Sequence, residues 1–312
     1  CSLTVYSFQQ VGYKTICIII QESCKAMVCH PSSILIVTIY FALIVLVNYF
    51  IAIVTLRILA ISKYEINDSS KFIDPPKNVL FLLFTFIGCS CWIIAVIYNI
   101  QRVTLYGIFS TWYQTADKTK ISCTISIKMM YTIFRYHFGT LTFGSTIFTI
   151  IPIIRIIFNS RTDLYRKFKA NKNTIFCYLV ILVNATSNTF VTCVSHGTGY
   201  YHSMQDSFKL LMQHPLKFVT IRIITELLIF FGAVLIPGLT LFFAYQYILP
   251  DTDTDGITII VIATVLFSIT FIFLQSFHAA TTAVLHCFLE DLNFKTNESD
   301  CNENISVVND DA

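Results

Sequence analysis

The chain has 312 residues, of which 55% are hydrophobic and only 12% are charged. Soluble globular domains are usually about 25% charged, so this composition excludes an ordinary soluble domain and predicts an integral membrane protein. The formal net charge of +3 is too small to indicate a nucleic-acid partner.

Long apolar segments separated by polar loops predict an all-α, polytopic membrane bundle with about six membrane segments. These segments cover residues 34–61, 79–100, 139–158, 174–193, 217–247 and 257–288, and the second could continue to residue 112. Residues 1–292 are therefore assigned to the bundle. Residues 293–312 are polar and acidic, and we expect them to form a disordered cytoplasmic tail. The chain opens on Cys1 without a signal-peptide pattern, so we expect a fragment.

The loops leave two topologies open. Loop 65–78 carries a glycosylation sequon at Asn67, and an acidic turn lies at 251–255. If both lie outside, segments 139–158 and 174–193 either both cross the membrane or both fail to cross. Crossing by both places the basic segment 161–172 outside, against the positive-inside tendency. The polar centre of 174–193 also permits re-entrant elements.

A basic and aromatic stretch precedes the third apolar segment. Its sequence is RYHFGTLTFGS (135–145), in which Arg135, Tyr136 and His137 are followed by Gly139 and Gly144. Cationic and aromatic side chains are frequent where a helix enters a bilayer, and glycines allow helices to approach closely. We expect both glycines to permit close packing. Arg135 and His137 either contact lipid headgroups and the interface or gate and anchor this helix.

Five motifs, in the same order, resemble those of the choline transporter-like proteins, solute carrier family 44. The stretch RYHFGTLTFGS is similar to the family signature RYHxGSLAFG. The other four are YGIFSTWY (106–113), FKLLMQ (208–213), TELLIFFG (225–232) and CFLEDL (287–292).

The resemblance implies a family chain of about ten membrane helices, of which this chain is the C-terminal half. It also implies a plasma-membrane transporter of choline or a related amino-alcohol cation. The partners are then that cation, the lipid bilayer and the N-terminal half of the same chain. We expect no cofactor, no metal and no enzymatic activity.

Aromatic residues near polar groups are the candidate contacts for such a substrate. A quaternary ammonium ion has no hydrogen-bond donor on its charged end and is best held by aromatic faces. Trp92, Tyr98, Tyr200 and Tyr201 meet this criterion. For each of them the alternative is helix packing or anchoring at the interface.

Glu226 is the acid inside the fifth apolar segment. A carboxylate at membrane depth costs about 3 kcal/mol or more unless it is compensated, so Glu226 is a candidate for the cation path. Arg222 lies four residues earlier on the same helix face, and the alternative is a structural ion pair. The sequence leaves both roles open.

Two other functions compete with transport. A membrane-embedded metalloenzyme would use histidines, although the chain has no His-Glu-x-x-His run. The histidines concerned are His137, His196, His202, His278 and His286. A non-transporting scaffold or degenerate paralogue is the other alternative, because Thr282 stands where the family has an acid.

Overall fold

A computed structural model describes residues 13–64, 77–118, 124–160, 187–213, 215–247 and 256–310, and these residues contain no β-strand. The helices are α1 (Tyr13–Cys29), α2 (Ser32–Tyr64), α3 (Lys77–Gln114), α4 (Ile125–Thr132), α5 (Phe138–Ser160), α6 (Tyr200–Gln213), α7 (Pro215–Tyr247) and α8 (Gly256–Asp310). A π-helical turn, Ile133–His137, joins α4 to α5 without a break. Residues 187–196 are also helical.

Four helices are long and apolar enough to cross a membrane. These stretches are Ser32–Ala60, Phe81–Gln114, Phe218–Phe243 and Val261–Phe294. They match the first, second, fifth and sixth predicted segments, which confirms the all-α membrane bundle. The total of about six stays a prediction, because much of the fourth segment lies outside the described residues.

Contacts between helices give their relative directions. Tyr98 meets Gln275 and Tyr113 meets Asp291, so α3 and α8 run parallel. Arg222 meets Thr282 whereas Glu226 meets His278, so α7 runs antiparallel to α8. The first residues of α3 and α8 therefore lie on the same side of the bundle.

The described residues of the two uncertain segments run in opposite directions. Asn99 of α3 contacts Ser145, whereas a Cβ atom at Gly107 would contact Met129, so α4 and α5 run antiparallel to α3. Thr192 contacts His286 and His196 contacts Glu290, so residues 187–196 return parallel to α8. These directions are compatible both with two crossing segments and with re-entrant elements. The crossing itself stays a prediction, since residues 161–186 are not described.

Two apolar clusters hold the helices together. The larger is centred on α3, where Tyr106 and Phe109 are fully buried against residues of α2, α5 and α8. The smaller joins α1, α6, α7 and α8 around Ile19 and Ile221. Close packing in both clusters fixes the helix faces that carry polar side chains.

The end of α8 differs from the sequence prediction. The helix continues to Asp310, through residues that were expected to be disordered. Extending an existing helix costs far less than starting one, because each added residue gains a hydrogen bond without a new nucleus. The division into a bundle and a tail at residue 292 stays a prediction.

Candidate substrate pocket between three membrane helices

A cavity of about 430 Å³ opens beside α3, α7 and α8, and Ser187 also contributes to its lining. Its polar lining is formed by Tyr98, Arg102, Arg222, Glu226, Gln275 and His278. Its apolar lining is formed by Ile229, Phe230, Ala233, Phe267, Phe271 and Leu274. Spacings of three and four residues along each helix bring these side chains onto one face.

Glu226 lies at the centre of the polar wall. Its Oε1 is 3.2 Å from Nη2 of Arg222 and 3.1 Å from Nε2 of His278. The predicted pairing with Arg222 is therefore present, and a histidine from α8 adds a second contact. About half of the carboxylate side chain stays exposed, so Glu226 is both paired and open to the cavity.

Arg102 is the main residue that the sequence analysis missed. It is 8% exposed, its guanidinium lies 5.4 Å from the centre of the Tyr98 ring, and Nη2 is 3.4 Å from Nδ1 of His278. The second segment was predicted to cover residues 79–100 with a possible continuation to residue 112, and Arg102 was not selected as a candidate in either case. The signal that could have found it is a lone arginine inside the apolar run that continues to Trp112.

Tyr98 is the predicted aromatic residue that shares this pocket with Glu226. Its hydroxyl donates a hydrogen bond of 3.3 Å to Oε1 of Gln275. Trp92 lies six residues before Tyr98 on α3. Its indole N–H donates a hydrogen bond of 3.0 Å to Oγ1 of Thr146. Trp92 therefore contacts α5 and does not line the cavity.

Tyr200 and Tyr201 occupy different environments. Tyr200 is 6% exposed and its ring packs edge-on against Phe143 and Phe190. Burial raises the pKa of Tyr200 to about 12. Tyr201, in contrast, is 69% exposed. Neither residue lines the cavity beside Glu226.

The two predicted packing glycines also differ. A Cβ atom at Gly144 would lie 2.6 Å from Cζ of Phe190 and 2.7 Å from Cε2 of Tyr200, so this glycine is required for close approach. No described neighbour lies within 4 Å of a Cβ atom at Gly139. Close packing through a glycine is thus present at Gly144, and Gly139 lies in open space in the described part of the chain.

The basic and aromatic stretch includes part of the π-helical turn. Arg135 and Tyr136 are both exposed, and the guanidinium stacks over the Tyr136 ring at 5.7 Å. His137 is half-buried, with Nδ1 at 3.5 Å from Sγ of Cys193, and burial lowers its pKa. Successive side chains of a helix point in different directions, so His137 faces the bundle while Arg135 and Tyr136 face outward.

The other four histidines considered for a metal site lie in two places. His278 belongs to the pocket, whereas His196, His202 and His286 line a second cavity with Glu290. Within the described residues, no three His, Cys, Asp or Glu side chains are placed to hold a metal ion. The predicted sequon at Asn67 lies outside the described residues.

The fold and the buried polar groups define a multi-pass membrane protein with a charged pocket inside its bundle. The family model described as plasma-membrane choline transporter matches residues 2–293. The chain therefore belongs to this family, which confirms the resemblance seen in the five motifs. It is a multi-pass protein of a plasma-membrane family of transporters, which is compatible with the expectation that it is not an enzyme.

Curated relatives carry the same family name. Choline transporter-like 2 of Drosophila melanogaster is 26% identical over 237 residues, which are 70% of this chain and 29% of that protein. Choline transporter-like protein 2 of Danio rerio is 24% identical over 67% of this chain and 32% of its own length. Choline transporter-like protein 1 of Rattus norvegicus is 24% identical over 65% and 33%. The chain thus spans about a third of each of these relatives.

Proposed function

We propose that the protein transports choline or a related amino-alcohol cation across the plasma membrane, with the pocket around Glu226 as part of its substrate site. The family and the names of the relatives support the substrate class. The placement of Glu226 beside Tyr98 in a cavity between candidate membrane spans is the observation that carries the site.

The pocket offers the two kinds of contact that a quaternary ammonium needs. Aromatic faces attract the methylated cation through their quadrupoles, and a carboxylate adds direct charge compensation. Tyr98, Phe230, Phe267 and Phe271 supply rings around the cavity, and Glu226 supplies the carboxylate. A half-exposed carboxylate keeps capacity for a further contact beside its bonds to Arg222 and His278.

The other predicted contacts stay outside this pocket. We retain Trp92 and Tyr201 as predictions for a substrate path, whereas the ring contacts of Tyr200 favour its packing alternative. Glycosylation at Asn67 is likewise retained. We also propose that the N-terminal half of the full-length family chain packs against this bundle and completes the transporter.

The test is uptake of radiolabelled choline by cells that express the protein, with Glu226→Gln beside wild type. We expect uptake to fall at least about tenfold in the variant, because the neutral amide loses the charge interaction with the cation. Glu22→Gln is the matched control. It makes the same change at an exposed ion pair with Lys25 on α1, and we expect it to leave uptake unchanged.

The result also separates two readings of Glu226. Normal uptake by a well-folded, correctly localised Glu226→Gln variant would reduce the residue to structural pairing with Arg222. Absence of choline uptake by wild type under any gradient would instead favour a non-transporting scaffold. The observation that favours this second function is Thr282, a neutral residue that contacts Arg222 inside the bundle.

A further inference from the structure

Two fixed positive charges meet in the pocket. Nη2 of Arg102 is 3.4 Å from Nδ1 of His278, and Nη2 of Arg222 is 3.2 Å from Oε1 of Glu226. Guanidinium groups do not lose their proton in proteins, so both arginines stay charged. Both also contact the same His278–Glu226 pair, which brings their charges onto one wall of the cavity.

The hydrogen bonds assign the protonation state of His278. A guanidinium can only donate, so Nδ1 of His278 accepts from Arg102 and carries no proton. Nε2 therefore carries the proton and donates it toward Oε1 of Glu226 at 3.1 Å. His278 is neutral in this arrangement. Glu226 is consequently the one negative charge among the described lining residues, against two positive charges.

Neutral groups accept hydrogen bonds from only some of the remaining N–H donors of the two arginines. Nη1 of Arg222 donates to Oγ1 of Thr282 at 3.1 Å, and that hydroxyl donates to the carbonyl of His278. Arg102 contacts the faces of Tyr98 and Tyr106. In each arginine the buried Nε atom has no hydrogen-bond partner within the described structure. The wall thus holds one excess positive charge and two unpaired donors.

We infer that the pocket contains an anion subsite at Arg102 and Arg222 that takes a phosphate group. A buried charge without compensation is unfavourable, and oxyanions match the planar, multiple donors of a guanidinium. The adjoining wall of Phe230, Phe267 and Phe271 suits an apolar or methylated part of the same ligand or of a companion cation. The inference rests on the proposed function only in the choice of phosphocholine and choline as probes.

Thr282 provides the sharpest variant. Thr282→Asp places a carboxylate next to Arg222 and cancels the excess charge without removing either arginine. Thr282→Asn is the matched control, because it has nearly the same shape as aspartate and no charge. Arg102→Gln removes one of the charges directly, and Arg135→Gln is its control at an exposed arginine outside the pocket.

The experiment measures thermal unfolding of the purified protein at constant ionic strength. It is titrated with inorganic phosphate, phosphocholine or choline, and compared in nanodiscs with and without phosphatidic acid. We expect saturable stabilisation by a phosphate-bearing probe. The apparent affinity should fall about tenfold or more in Thr282→Asp and Arg102→Gln, because a charge-assisted contact is lost. Arg135→Gln should bind like wild type, and Thr282→Asn should bind more tightly than Thr282→Asp, since the two differ in charge and hardly in shape.

The probes distinguish the sources of the anion. Stabilisation by inorganic phosphate or phosphocholine supports a soluble ligand, and stabilisation only by phosphatidic acid supports a lipid headgroup. Lack of stabilisation by every phosphate-bearing probe would overturn the subsite. Equal binding by wild type and Thr282→Asp would overturn it as well. If Thr282→Asp fails to fold, the same comparison is made with Arg102→Gln.

This outcome is separable from that of the proposed function. Choline uptake without any phosphate binding would leave the transporter standing and remove the subsite. Phosphate binding without choline uptake would leave the subsite standing and remove the choline proposal.

Discussion

Tyr98, in the pocket around Glu226, and Tyr200, among the rings of Phe143 and Phe190, are two aromatic residues with different surroundings in one bundle. One lines a cavity, and the other is packed in the core. At Tyr98 the ring borders a cavity and lies next to charged side chains from α3 and α7 and polar side chains from α8. At Tyr200 the ring is buried and packs against Phe143, Phe190 and the backbone at Gly144. An aromatic residue at such a site becomes a ligand contact only where its neighbours leave room, whereas close packing makes it part of the core.

The largest effect that tests this comparison is expected from truncation of Tyr200. Tyr200→Ala should lower the free energy of unfolding by about 3–5 kcal/mol, because it leaves a cavity between Phe143 and Phe190. Tyr200→Phe is the matched control. Its effect should be close to zero, since the hydroxyl has no hydrogen-bond partner within the described structure. Chemical denaturation of the purified variants gives both values.

A large loss of stability in Tyr200→Phe would contradict the assignment to the packed core. It would show that the hydroxyl makes a contact of its own, as a substrate-binding or network residue does.

A smaller effect is expected at the glycine that faces Tyr200. Gly144→Ala should cost about 1–3 kcal/mol, because its methyl group would overlap the Phe190 and Tyr200 rings. Gly139→Ala makes the same change five residues earlier on the same helix and in open space. It should be neutral or slightly stabilising, since alanine favours a helix more than glycine does. Equal losses at both sites, measured by the same denaturation, would contradict the packing of α5 described above.

Much of the fold follows from patterns that lie within single segments. The apolar runs of α2, α3, α7 and α8 are long enough to identify from composition alone, and Arg222 and Glu226 pair because they are four residues apart. The pocket required more, since Arg102, His278 and Gln275 reach Glu226 and Tyr98 from other helices. Residue spacing along one helix does not show which other helices pack against it, so these contacts could not be predicted from a local pattern.

One sequence criterion also selected residues whose surroundings in the structure differ. Tyr98 and Tyr200 both lie near polar groups in apolar surroundings, so one rule selected both. Only the packing of the neighbouring helices separates them. Gly139 and Gly144 were grouped for the same reason, and the direction in which each faces depends on the helix path through the π turn.

The most direct test of the central claim fills the pocket and leaves its charges in place. Ala233 lines the cavity, whereas its neighbour Val234 is 56% exposed and does not line it. Ala233→Leu should reduce uptake of radiolabelled choline about tenfold or more at equal surface expression, because the added carbons occupy ligand space. Val234→Leu should transport like wild type. Equal uptake by both variants would contradict the assignment of substrate to the Glu226 pocket.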